Sequence, residues 1–333
     1  MKRKLVKGLI AVLVCTAMLA GCKKKQVGTP EDNAIKEEVE EVEEDPHVFG
    51  FSAINMENPY FITLESSISA ALLEEEESST LITKDPAGNA ELQAQQLEEM
   101  VAEGVEVVFL SPVNWDEITP SLEMLKEAGV KIINIDTQVK EMDLVDAYIG
   151  SNNEEAGYIC GTDLITRMPD GGKILILECP TQNSINERIT GFETALASAE
   201  KGYEVVDRAD TSGDFQVALD VTTQMLEKHS DISAIMCGND QIAVGAKTAV
   251  NLAGNTDIII YGVDGSPDIK KEIQKPDSQI AGTAAQSPIN MGKTAVKVAF
   301  QILKGEKFER ETFEEVFMIN GENLDLYGVD GWQ

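Results

Sequence analysis

Histidine is almost absent from this chain of 333 residues, which holds only His47 and His229. That scarcity removes most histidine-based acid–base catalysis and metal binding from consideration. Cysteine is scarce too: of five, Cys15 and Cys22 lie near the start, and Cys160, Cys179 and Cys237 stand far apart. An odd, widely spaced trio among apolar neighbours reads as buried free thiols, and neither a disulfide framework nor a zinc spacing is present. Basic residues are outnumbered, 27 Lys and Arg against 58 Asp and Glu, for a net charge of −31. So acidic a chain is repelled by nucleic acid and by anionic membranes, so nucleic-acid binding is set aside. The usual catalytic signatures are missing as well. There is no Gly-x-Ser-x-Gly nucleophile turn, phosphate loop or Gly-x-Gly-x-x-Gly dinucleotide turn. No enzyme activity, cofactor or metal is expected.

What is present begins at the N-terminus. Lys2, Arg3, Lys4 and Lys7 precede a largely apolar stretch from Leu9 to Ala20. A basic, an apolar and a small-residue region in that order form an export signal, and the apolar part is too short to span a bilayer. The stretch ends in Leu19-Ala20-Gly21-Cys22, which resembles the bacterial lipoprotein box. That resemblance implies a signal peptide over residues 1–21, cleavage before Cys22 and acylation of its sulfur. An ordinary signal with an incidental Cys22 is the alternative. Residues 22–46 read as a flexible acidic tether: Glu31 to Asp45 is mostly Glu and Asp, with too little apolar surface to fold.

From residue 47 short apolar runs alternate with amphipathic stretches. Strands are expected at Val48–Ala53, Thr80–Thr83, Val105–Leu110 and Lys131–Ile135, with helices at Phe61–Glu76, Ala90–Ala102 and Trp115–Ala128. Gly104 and Gly129 follow helices where a left-handed cap wants glycine. The grammar repeats after residue 150. Strands are expected at Lys173–Leu177, Tyr203–Asp207, Ala234–Met236 and Ile258–Val263, and helices at Asn153–Arg167, Ile185–Ala199, Phe215–His229 and Gln241–Leu252. A third set comprises Gln279–Ala284, the helix Ile289–Lys304 and a final strand region Thr312–Ile319. Strand and helix alternating in this way give parallel sheets with helices on both faces, hence an α/β fold of two lobes.

Polar residues cluster just after the strands, where open α/β sheets bind ligands. Asn55-Met56-Glu57-Asn58-Pro59-Tyr60-Phe61 follows the first strand; a helix-capping turn is the plain reading, since Pro suits the first helical position. Asp136 ends the fourth strand and reads singly as a turn residue. Arg188, in Asn186-Glu187-Arg188-Ile189-Thr190-Gly191-Phe192, reads singly as a surface ion-pair partner. Asn239-Asp240, Asp264-Gly265 and Gln286 follow later strands, and the first two are common turn dipeptides. Taken together, carboxylates, an arginine, amides and aromatic rings suit a polyhydroxylated ligand, which offers paired hydroxyls and apolar C–H faces.

In their order these segments resemble the periplasmic sugar-binding proteins of ribose/galactose type, over residues 47 to 320. The resemblance implies two Rossmann-like lobes joined by a three-segment hinge, residues 47–150 with 287–316 and residues 151–286 with 317–333. It places Asn58, Tyr60, Phe61 and Asp136 on the first lobe's side of the ligand. Arg188, Phe215, Asn239 and Asp264 lie on the second lobe's side and Gln286 at the hinge. Two positions depart from the ribose type: Thr137 stands where an Arg follows the strand-end Asp, and Ser111 where an Asn follows the third strand. Both shorten hydrogen-bonding reach and put ribose itself in question. The calcium-loop spacing of galactose-binding relatives is missing near Asn320–Asp325. The function implied is a monomeric, lipid-anchored, extracytoplasmic protein that captures a monosaccharide or similar polyol and delivers it to an ABC importer permease. A sensory component presenting the same ligand to a membrane histidine kinase would use the same pocket. Repressors that share the two-lobe fold need a DNA-binding helix-turn-helix where this chain has an export signal.

Overall fold

The structure, a computed structural model, describes residues 46–200, 202–255 and 257–333. The export signal, Cys22 and the acidic segment as far as Asp45 lie outside the described residues.

Apolar residues of both faces are buried along the central strands, which is what a sheet covered on two sides requires. β1 (Val48–Ser52), β2 (Thr80–Lys84), β3 (Val107–Leu110), β4 (Lys131–Ile135), β5 (Ala147–Ser151) and β11 (Glu311–Glu314) form one sheet in the order β11-β5-β4-β3-β1-β2. All its pairings are parallel. Along β3 the period-two alternation sends Val107 and Phe109 to one core cluster and Val108 and Leu110 to another. The first cluster packs under α1 (Pro59–Glu75) and α9 (Pro288–Leu303), the second under α2 (Ala90–Ala102) and α3 (Thr119–Glu127).

The second sheet holds β6 (Gly172–Glu178), β7 (Tyr203–Asp210), β8 (Ala234–Cys237), β9 (Ile259–Asp264), β10 (Ile280–Ala285) and β12 (Phe317–Asn320) in the order β12-β10-β9-β8-β6-β7. Only β12 runs antiparallel to its neighbour. Its helices are α4 (Asn153–Arg167), α5 (Asn183–Ala197), α6 (Phe215–Lys228), α7 (Asp240–Leu252), α8 (Pro267–Ile273) and α10 (Leu324–Tyr327). One buried cluster, from Ile174–Leu177 through Ile235, Ile260 and Ala284, fills this lobe. Cys160, Cys179 and Cys237 are free and buried there.

The chain passes between the sheets three times: after β5, after β10 and between β11 and β12. The first two crossings are tied directly, for Ser151 Oγ donates to Gln286 Oε1 at 2.8 Å. Among the described residues no helix is long and apolar enough to cross a membrane.

The structure differs from the expected elements in a few places. The expected final strand region is two strands in different sheets, because the chain crosses at Glu315-Val316. The third helix starts at Thr119 rather than Trp115, with Pro120 in its first turn. β5, α8 and α10 were not anticipated. In β5 the pattern is masked by Gly150, a poor strand former. A Cβ there would lie 1.9 Å from the Tyr148 hydroxyl, which itself donates to the Asp136 carbonyl at 2.8 Å.

Candidate ligand-binding cleft

The carboxyl ends of both sheets face the cleft between the lobes, and the expected residues fall there for local reasons. Asn58 caps α1 by accepting from the Tyr60 N–H at 3.0 Å, with Pro59 in the first turn. Asn239 caps α7 in the same way, accepting from the Ile242 N–H at 2.8 Å, while its amide donates to the Gly213 carbonyl at 3.2 Å. Capping therefore accounts for one atom of each side chain and fixes the direction of the rest. Both strand-end aspartates have positive φ, +61° at Asp136 and +139° at Asp264. Asp tolerates the first value, but the second is rarely adopted by any L residue; such strain gathers at functional positions and costs about 1–3 kcal/mol.

Arg188 owes its place to two glycines. A Cβ on Gly157 of α4 would lie 1.7 Å from the Arg188 carbonyl oxygen, and one on Gly191 of α5 would lie 1.9 Å from the Glu154 carbonyl oxygen. The Arg-x-x-Gly spacing thus lets α4 and α5 touch backbone to backbone. That contact brings Asn153 against the guanidinium, whose Nε donates to Asn153 Oδ1 at 2.9 Å. Nη1 donates to the Gly238 carbonyl at 2.9 Å and reaches Asp264 Oδ1 at 3.5 Å. Gln286 Nε2 donates to the same carboxylate oxygen at 2.7 Å. A chain of polar groups therefore runs from Arg188 through Asp264 and Gln286 to Ser151 at the hinge.

A cavity of about 20 Å³ lies between Asn58, Tyr60, Phe61, Asp136, Gln182, Ser184, Arg188, Asn239 and Asp264. It adjoins a recess of about 290 Å³ that shares Asn58, Phe61, Gln182 and Asn239 and adds Phe215, Gln241 and the Ser212–Asp214 turn. Seven of the expected residues meet at the inner cavity and Phe215 lines the recess. Ser111, Thr137 and Gln286 stand behind this wall. Ser111 Oγ donates to Asp136 Oδ2 at 3.3 Å. Thr137 Oγ1 lies 2.5 Å from Ser184 Oγ across the cleft. Beside it the Trp115 N–H donates to the Thr181 carbonyl at 3.1 Å and its indole N–H to the Pro180 carbonyl at 3.3 Å. The lobes touch here.

Gln182 and Ser184 were not among the expected residues. They lie in Thr181-Gln182-Asn183-Ser184 between β6 and α5, a strand-end turn like those that carry the others, and that placement alone was their signal.

Charge in the cavity is unbalanced, with two carboxylates facing one guanidinium. Burial pushes the Asp264 carboxyl up to about 8; Arg188 opposes this, and Asp240 and Asp136 add to it. Asp136 is raised chiefly by burial as well, against the pull of Arg188 and of hydrogen bonds from Ser111, Tyr60 and Thr137. Asp240 stands behind Asp264, accepting from the Ser266 N–H and the Thr283 hydroxyl, each at 2.7 Å. Burial and the two cavity carboxylates raise the Tyr60 hydroxyl well above its ordinary value, so it stays a neutral donor. Among the described residues no cluster of three or more His, Cys, Asp or Glu is placed to hold a metal. The arrangement can accept hydrogen bonds from paired hydroxyls, donate to ring oxygens and cover C–H faces with aromatic rings.

Comparison with known proteins agrees with this geometry. A family model described as periplasmic binding protein domain matches residues 49–307. The ribose import binding protein of Salmonella typhimurium is 28% identical over 255 residues, covering 76% of this chain and 84% of the relative. An ABC transporter solute-binding protein of Bacillus halodurans, solved with bound myo-inositol, superposes with a TM-score of 0.78 at 22% identity, over 86% of this chain and 98% of that one. The fructose-binding periplasmic domain of a hybrid two-component system gives 0.77 at 22% identity, over 84% and 92%.

Proposed function

The chain belongs to the periplasmic binding protein domain family, whose relatives here are binding proteins rather than enzymes, and from that premise we propose that it captures a monosaccharide or similar polyol between its lobes and passes it to an ABC importer. One observation carries this reading. Two strand-end carboxylates, one arginine, capping amides and aromatic rings from opposite lobes converge on a single cavity. A hydroxylated ring can use all of them at once. Closure then follows from differential affinity, because only the closed state offers both sets of contacts to one ligand.

The test is a thermal-shift screen of the folded part, residues 47–333, against pentoses, hexoses, sugar alcohols and cyclitols. A ligand at 100 times its dissociation constant adds about 2.7 kcal/mol to the folded state, about 4–5 °C for a chain of this size. A response confined to one chemical class names the ligand family. A folded protein that responds to none of them would overturn the polyol reading.

We further propose that Cys22 carries a lipid anchor that holds the protein outside the cytoplasm. Labelling of cells with a palmitate analogue should mark the wild-type chain and not Cys22→Ser; equal labelling of both would refute it. The likeness to a two-component periplasmic domain favours a second reading, in which the same closed form is read by a membrane kinase. Deletion of the gene distinguishes the two: loss of ligand uptake marks an importer component, and loss of a transcriptional response with uptake intact marks a sensor.

A further inference from the structure

We propose that Trp332 is a positioning residue for ligand recognition: the last residues of the chain strap across the hinge and hold the Tyr60 ring against the cavity. The inference rests on the reading that Tyr60 touches the ligand. Tyr60 is 3% exposed and lines the inner cavity. Its ring meets Phe61 edge-on, centroids 5.4 Å apart, and meets Trp332 edge-on at 5.6 Å and 73°. Its hydroxyl bonds to the Asp136 carboxylate and lies 3.5 Å from the Met291 sulfur, a weak acceptor. These contacts hold one end of the ring but leave it free to turn about its long axis, and the two aromatic edges set its plane.

Trp332 reaches this position from the other lobe. The chain leaves α10 through Gly328, at φ +69°, and Trp332 then packs on the first lobe's core cluster beside α1 and α9. Two bonds fix the strap. The ammonium of Lys270, in α8, donates to the Gly331 carbonyl, and the hydroxyl of Ser287, which caps α9 just after the second crossing, donates to the Gln333 carbonyl. Lys270 is fully buried, and burial pulls its ammonium below the ordinary value. Buried charge is tolerated only with firm partners, and this ammonium has the Gly331 carbonyl together with the nearby charges of Asp240 and Asp330. The strap thus joins α8 of one lobe, the hinge at Ser287 and the ring of Tyr60 in the other. A change in lobe angle must pull on the strap between Lys270 and Trp332, which links closure to the aromatic wall.

Two measurements test this. The chain has only two tryptophans, so Trp115→Phe, which gives up the indole bond to the Pro180 carbonyl, leaves Trp332 as the sole tryptophan, excited selectively over tyrosine. In that background, without ligand, Trp332 should emit as a shielded indole, and Tyr60→Ala should shift the emission to the red and raise acrylamide quenching. Solvent-like emission that ignores Tyr60→Ala would overturn the strap. Calorimetry with D-ribose and myo-inositol then compares wild type, Trp332→Ala and Trp332→Phe. An edge-on aromatic contact corresponds to roughly a three- to tenfold loss of affinity in the Ala variant, with recovery in Phe. Unchanged affinity in Trp332→Ala alongside a lowered melting temperature would make the residue merely structural and refute the proposal. If wild type binds neither probe, the compound that responds in the thermal-shift screen takes their place; if none responds the polyol reading fails, while the emission result still decides the placement of the ring.

Discussion

The two sides of the cleft are built differently. On the second lobe the polar groups hold one another: Arg188 is bonded to Asn153 and Gly238, and Asp264 to Gln286. Behind them Asp240 and the α4–α5 contact leave no room to shift. On the first lobe Asp136 accepts from hydroxyls, those of Ser111, Tyr60 and Thr137, and apart from Asn58 the remaining wall is aromatic. A fixed hydrogen-bonding array faces rings whose tilt depends on their neighbours. On the proposed reading, this difference predicts that orientation of a ligand is set on the second lobe, while the first supplies area and closes over it. Each experiment below acts on one side or on the seam between them.

The largest effect is expected at Arg188. Arg188→Ala strands Asp264 together with the Asn153 and Gly238 oxygens, and each buried polar group left unpaired costs about 1–3 kcal/mol. Binding should therefore vanish and the melting temperature should fall by about 5 °C or more. The loss of stability is greater than the residue's motif suggests, since its guanidinium also joins α5 to the start of α4. Arg188→Lys should not rescue, because one ammonium cannot replace donors that diverge from Nε and Nη1. A Lys variant that binds like wild type would show the array to be less fixed than described.

Gly191 lies on the same side, and its substitution separates position from chemistry. Gly191→Ala places a methyl against the Glu154 carbonyl at 1.9 Å, so α4 must move off α5. Overpacking of this kind costs about 1–3 kcal/mol. Affinity should drop together with stability although no cavity side chain has changed. If stability falls and affinity holds, the helix contact does not position Arg188.

Much of this could be read from the chain, and the limits were physical. Repeating strands and helices announced two parallel sheets because the period changes between two and 3.6 wherever the chain turns. Asp136, Asn239 and Asp264 were visible because strand ends in such sheets point at the cleft, whereas Arg188, inside α5, was visible only through its place in the family's ordered motifs. Singly each had a plain reading, and for Asn58 and Asn239 that reading is also true: they cap helices and face the cavity. What stayed hidden depends on long-range placement. Ser184 pairs with Thr137 only because the lobes meet, and β5 hid its pattern behind Gly150. Trp332 lies far along the chain from Tyr60, and no local pattern links them.

Asp264 gives an intermediate effect with a defined pH sign. Its carboxyl titrates at about 8 in the folded protein against about 3.9 in an unfolded chain. Between those values the folded form holds a proton that the unfolded form has lost, so stability falls as pH rises through the window and levels off above about 8. Asp136 and Asp240, also raised, act in the same direction. Hydroxyl donors favour the ionised carboxylate, so affinity should rise with pH over the same range and binding near neutrality should release a proton. Asp264→Asn should flatten both slopes and weaken binding by about 10- to 100-fold, the worth of a hydrogen bond to a charged group. Calorimetry in buffers of different ionisation enthalpy checks this; proton uptake instead of release would refute it.

The smallest effect is expected at the seam. The Thr137 and Ser184 hydroxyls, 2.5 Å apart, belong to different lobes, and their bond exists only while the lobes touch. A neutral hydrogen bond contributes about 0.5–1.5 kcal/mol. Its loss changes the balance of closed and open forms by about two- to tenfold, and apparent affinity falls by up to that factor as the competent fraction shrinks. Unfolding should be almost unaffected, because neither lobe needs the bond to fold. Ser184 also lines the cavity, so Ser184→Ala alone could weaken binding through the ligand. The cycle with Thr137→Val separates the two routes. If the seam is responsible, the double variant binds no worse than either single one. If the losses add, the two hydroxyls act independently, and Thr137 must affect the ligand by a route other than closure.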